Sequence, residues 1–166
     1  NSDLERLTPT ERVYYYEKVC LSLGVNPLTK PFSYIKLNNK LVLYANRDCT
    51  DQLRAIHKIS ISILRSVTEN DIYTVQAKAQ NAESRTDESI GAVNIQGFTG
   101  DALANAYMKA ETKAKRRVTL SICGLGWLDE TEVGTVPGAT AISVDTVTGE
   151  ITSPSPQNPR QATPEA

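Results

Sequence analysis

Residues Ala104 to Trp127 read ANAYMKAETKAKRRVTLSICGLGW, and the fold turns on them. At 3.6 residues per turn, Leu103, Tyr107, Ala110, Ala114, Val118, Ser121 and Leu125 fall on one stripe able to pack on a body. Lys109, Lys113 and Arg116 fall on a neighbouring stripe, with Arg117 at its edge and Lys115 close by. Glu111 is the only acid in the stretch, and Gly124-Leu-Gly126 stops the helix. Cations at about one-turn spacing suit a polyanion, because each neutralises a backbone phosphate and releases a counterion. The competing reading of such a stripe is a solvated charged face.

Upstream of this helix the pattern alternates between helix and strand. Thr8 or Thr10 can cap a first helix that Pro9 and Glu11 open and Gly24 ends, with Val13, Tyr16, Val19 or Cys20, and Leu23 recurring at helical spacing. Phe32–Leu37 and Lys40–Tyr44 flank Asn38-Asn39, a tight hairpin. Arg47–Lys58 reads as a short helix, started by Asp48 or Thr50, with Leu53 and Ile56 inward. Ile59–Val67, Ile72–Ala79 and Ser89–Gln96 are rich in Ile, Val, Tyr and Thr and alternate as half-buried antiparallel strands do. The expected architecture is α+β: a curved antiparallel sheet of about five strands packed on the long basic helix.

After Val133 the composition shifts. Five of the eight prolines lie in residues 134–166, among Ser, Thr and Gln. We expect a core over 1–133 and a disordered, flexible tail over 134–166. Ala141–Val147 and Glu150–Ile151 could pair there as a small hairpin with little core.

The totals are near neutral, 18 Lys+Arg against 19 Asp+Glu, which argues against a protein that coats duplex DNA through bulk charge. No apolar run is long enough to span a membrane. No signal peptide is read, and the opening Asn1 reads as the start of an excised fragment. Cys20, Cys49 and Cys123 are far apart with no C-x-x-C pair, which fits a reducing, cytoplasmic setting and no zinc site.

Catalytic patterns are weak. Gly124-Leu-Gly126 lacks the lysine and following helix of a phosphate-cradling loop. His57 is the sole imidazole, beside Arg54 and Lys58, which suits a nucleic-acid-facing surface as well as any base. Asp129, Glu130 and Glu132 read as a solvated turn, or as acids meeting a basic patch on a neighbouring subunit. We expect no enzyme, no metal and no cofactor. Exposed tyrosines (Tyr34, Tyr44, Tyr73) with Arg47, Arg54, Lys58 and the basic helix suit single-stranded nucleic acid held by charge and base stacking.

Two segments carry a resemblance. Gly24-Val-Asn-Pro-Leu-Thr-Lys-Pro-Phe32, followed by strands, resembles phage single-strand annealing proteins of the RecT and Red-beta group. Ala106–Glu132, a basic helix, a glycine turn and then acids, is similar to that group's closing segment. The likeness spans most of residues 9–133, and the central 47–96 departs from it. It implies a homo-oligomeric ring or filament in the cytoplasm of a bacterial host. Such an assembly binds single-stranded DNA and anneals complementary strands without ATP, alongside a partner exonuclease or host single-strand-binding protein. Lys109, Lys113, Arg116 and Arg117 would face the DNA, and Asn26, Pro27 and Lys30 would shape the loop into the strands, with Lys30 on a phosphate. Alternatives are a single-strand binder that does not anneal and a phage assembly or structural protein.

Overall fold

The structure is a computed structural model that describes residues 3–134 and 136–152. Helix α1 spans Pro9–Leu23. Thr8 and Glu11 form a reciprocal capping box at its start, and Gly24 ends it at φ 71°. Strands β1 (Phe32–Leu37) and β2 (Lys40–Ala45) form the expected hairpin, with Asn38 and Asn39 both at positive φ. Helix α2 (Arg47–Ile56) follows. Strands β3 (Ser60–Glu69), β4 (Ile72–Gln80) and β5 (Thr86–Asn94) make an antiparallel meander that leads into α3 (Gly100–Ile122). Helix α4 (Glu130–Val133), β6 (Thr140–Val144) and β7 (Ile151–Thr152) complete the described chain. Among the described residues, no helix is long and apolar enough to cross a membrane.

The fold is α+β with a long helix, but it holds two antiparallel sheets in place of one sheet of about five strands. One has the order β2-β1-β6-β7 and the other β3-β4-β5. The physical reason lies at the two edges of the first hairpin. The amide of Ala45 donates to the Leu128 carbonyl at 2.8 Å, and β6 pairs along the free side of β1 through Tyr34–Ile142, Ile35–Ala141 and Lys36–Thr140. With α2 between them, β3 starts a separate sheet.

Pairing through β6 also carries the folded body past Val133. Ile142 and Val144 pack on the first core, which holds Leu4, Tyr16, Cys20, Phe32, Tyr34, Leu43, Leu53 and Leu120. Gly149, expected at the tip of a loose hairpin, is buried against α1. Its carbonyl accepts from buried Arg12 at 2.5 Å, and a Cβ there would sit 1.9 Å from the Pro9 carbonyl oxygen. The remainder of the expected tail, residues 153–166, lies outside the described residues.

Helix α3 belongs to both cores. Ala110, Ala114, Val118 and Ile122 meet Val75, Ala77 and Ala79 of β4 in the second core, while Leu120 enters the first. The buried band therefore widens toward the C-terminus to take in Arg116, Thr119 and Leu120, and the stripe's Tyr107 and Ser121 stay exposed. Small residues set the helix close to the sheet: a Cβ on Gly91 of β5 would lie 2.2 Å from the Ala110 carbonyl oxygen.

Candidate nucleic-acid interface

The expected site residues fall into three groups. On α2, Arg47 and Arg54 share one carboxylate, Asp51, with Arg47 at 3.2 Å from it. Lys58 follows α2 in an exposed left-handed turn at φ 49°. Lys30 closes the turn Pro27–Thr29 at φ 51°, where its carbonyl accepts from the Asn46 side chain at 2.9 Å. Asn26 caps that same turn by accepting from the Leu28 amide at 3.0 Å, which is the backbone reason for the Asn-Pro pair.

On α3 the cations divide sharply. Arg116 is buried, its side chain 11 % exposed, and it bonds Glu130 at 2.6 Å with Asp129 at 3.6 Å. Arg117 pairs with Glu132 at 3.2 Å, and Lys115 pairs with Glu111 at 2.5 Å. An open row of four cations is therefore corrected: the protein's own acids neutralise Arg116 and Arg117. Lys109 is exposed and has no ion pair among the described residues. Lys113 is half-buried, and its ammonium donates to the Ala92 carbonyl at 3.3 Å. Burial, and then the like charge of Lys109, hold the Lys113 ammonium below the usual lysine range.

The acidic segment expected as a solvated turn is thus the partner of the basic helix. Asp129 caps α4 by accepting from the Thr131 amide at 2.9 Å, while the Glu132 side chain accepts from the Asp129 amide at 3.1 Å. Gly124, at φ 74°, turns the chain back so that acids thirteen to fifteen residues beyond the arginines face them. Opposite charge across a glycine turn was the signal for this pairing.

Sequence reasoning missed two further cations. Val75, Ala77 and Ala79 face α3, so alternation places Gln76 and Lys78 on the far side of the second sheet. Register puts Arg65 opposite Gln76, and Lys78 opposite Glu88. The expected tyrosine platform is corrected in part. Tyr34 is buried against Tyr16 with ring centroids 6.2 Å apart, Tyr44 is half-buried, and Tyr73 packs on Tyr107 at 4.3 Å.

Burial pushes the Cys20 thiol up to about 11 and Cys49 up to about 12, and it raises Cys123. Protonated thiols of this kind are poor nucleophiles. Among the described residues, no group of three or more His, Cys, Asp or Glu is placed to hold a metal ion. No protein-family model matches the chain, and no curated protein matches it.

Proposed function

We propose that this protein binds single-stranded DNA and, as an assembly of copies, anneals complementary strands without nucleotide hydrolysis. The observation that carries the reading is the Lys109–Lys113 pair. Two ammonium groups at i,i+4 on an otherwise well-packed helix repel each other, and desolvation adds to the cost at Lys113. A bound polyanion relieves both. The phosphate backbone is a polyanion with a charge at every nucleotide, and it needs no precise geometry from its partner.

The second sheet supports the assembly part. Among the described residues, neither β3 nor β5 has a strand on its outer side. Paired edge to edge, copies would repeat about every 14 Å, three strands at roughly 4.8 Å each. A strand following that row at about 3.4 Å per nucleotide would pass about four nucleotides per copy.

The test is annealing of two complementary dye-labelled oligonucleotides, without nucleotide, across a salt series. Acceleration that fades with salt is expected. Lys109→Ala should weaken single-strand binding across all sequences and flatten the log–log salt slope by about 0.7 for the lost phosphate contact. Binding without acceleration would leave a protective single-strand binder. Neither binding nor acceleration by folded protein would refute the DNA reading and favour an assembly protein.

A further inference from the structure

Three carboxylates close over the basic end of α3, and they differ in how firmly they are held. Asp129 is fully buried and fixed from both sides. The preceding Leu128 carbonyl accepts from Ala45, and the Asp129 Oδ1 accepts from Thr131. Its Oδ2 has no hydrogen-bond partner among the described residues and lies 3.6 Å from the Arg116 guanidinium. Glu130 reaches the same guanidinium at 2.6 Å from a side chain 37 % exposed. Glu132 meets Arg117, itself 55 % exposed, at 3.2 Å.

We propose that Glu130 and Glu132 stand in for phosphate on Arg116 and Arg117, and that a single-stranded nucleic acid displaces them to bind the same two guanidinium groups. The inference rests on the DNA reading above. Carboxylate and phosphate oxygens use the same guanidinium donors, so exchange replaces like with like. Two acids on Arg116 make that exchange feasible. When Glu130 swings into solvent, Asp129 remains beside the buried guanidinium, so no bare charge is left inside the protein. Arg117 needs no such safeguard, because solvent already reaches it. Displacement would extend the Lys109–Lys113 row by one further turn of α3. Weak or short anions would fail to compete with tethered acids, whereas a strand already anchored on the lysines would arrive at high local concentration. The acidic helix would thus raise discrimination for polymer over free anion.

The test compares the full chain with Glu130→Gln/Glu132→Gln in single-strand binding by a dye-labelled oligothymidylate from 50 to 200 mM salt. Glutamine at position 132 still serves the capping box, so α4 should persist. The double variant should bind at least roughly tenfold tighter at low salt, taking the half decade of an exposed pair as the floor for each of these partly buried ones. Its slope should equal that of wild type, because the same phosphates are neutralised once the acids have been displaced. Glu132→Gln alone, which leaves the Glu130 pair on Arg116 in place, should give about half of that gain in affinity at an unchanged slope. Should the double variant melt early, the single variant carries the test. Inorganic phosphate should gain no comparable affinity. Equal affinity for wild type and both folded variants, or a steeper slope in the variants because wild type keeps its arginines on its own acids, would overturn the inference while leaving the DNA reading intact. No oligothymidylate binding by any of the folded proteins would overturn the DNA reading itself.

Discussion

Replacing Gly91 with alanine tests how tightly the basic helix is seated on its sheet. The added Cβ would lie 2.2 Å from the Ala110 carbonyl oxygen, 2.5 Å from the Ala114 amide nitrogen and 2.8 Å from the Lys113 Cβ. Two of these are backbone atoms of α3, so no side chain can turn aside. To bring the nearest contact to 3.4 Å, where ordinary packing begins, helix and strand must part by about 1.2 Å. The Ala110 and Ala114 contacts with Val75 and Ala77 are short-range, and a gap of that size forfeits a quarter to a half of each dispersion well or more. Overpacking commonly costs about 1–3 kcal/mol, and a backbone-on-backbone clash belongs at the upper end, about 3 kcal/mol. For a chain of this size that is roughly 6–12 °C in melting temperature. Urea and thermal unfolding followed by far-UV dichroism would read it. The retreat should also loosen the bond from Lys113 to the Ala92 carbonyl. A variant within about 0.5 kcal/mol of wild type would refute the close-packing account, since that is the scatter of a neutral surface change.

Two other expectations follow from groups that tie the chain ends to the body. Arg12→Met removes donors from the carbonyls of Leu4 (2.8 Å), Leu7 (2.7 Å), Glu5 (3.3 Å) and Gly149 (2.5 Å). At about 1–3 kcal/mol for each of the two buried carbonyls left unpaired, less the relief of no longer burying a guanidinium, the net loss should be about 3 kcal/mol. Hydrogen exchange should show the turn from Asp145 to Glu150 opening first. Acid should destabilise the protein through Asp3, Glu11 and Asp145, whose carboxyls are held below their ordinary values chiefly by the amides of Leu41, Thr8 and Thr148. A lowered folded pKa adds stability that is complete above the unfolded value and lost as pH falls through the folded one. Stability should therefore decline below about pH 4, and Asp145→Asn should flatten part of that decline in a pH series of urea melts.

Local chemistry made most elements legible. The Thr8–Glu11 box, Gly24, the Asn38-Asn39 turn and the alternation in Ile72–Ala79 each fix one piece of backbone through neighbours a few residues away. The start of β5 was less clear: Thr86-Asp-Glu88 is polar and reads as loop ahead of the expected strand from Ser89, yet Asp87 lies opposite Ala79 and its carboxylate accepts from Ser121 of α3 at 2.5 Å. Division into two sheets was hidden because it depends on which partners reach the edges of β1 and β2. Those partners, β6 and Leu128, stand far along the chain. Arg12 was invisible for a related reason. Its neighbours Glu11 and Val13 say only that it lies on a helix, and four carbonyls from two segments, residues 4–7 and Gly149, decide that it is buried.

The cationic helix shows most plainly why a charge count along one element does not define a binding surface. Five cations lie between Lys109 and Arg117, but three of them, Lys115, Arg116 and Arg117, have carboxylate partners. One copy then offers a strand two ammonium groups on this face, one of them half-buried. Two phosphate contacts on a single strand give a salt slope of only about 1.4, far short of the six to ten contacts that make electrostatic binding strong. If the DNA reading holds, affinity must come either from releasing Arg116 and Arg117 or from repeating the pair along an array of copies. The two routes leave different marks. Release steepens the slope of each copy and depends on Glu130 and Glu132. Repetition leaves the slope per copy at about 1.4 and makes binding rise steeply once an oligonucleotide exceeds the roughly four nucleotides that one copy would span. Titrating oligonucleotides of increasing length against wild type and Glu132→Gln therefore separates them, because only the second route ties affinity to length while remaining indifferent to the acid.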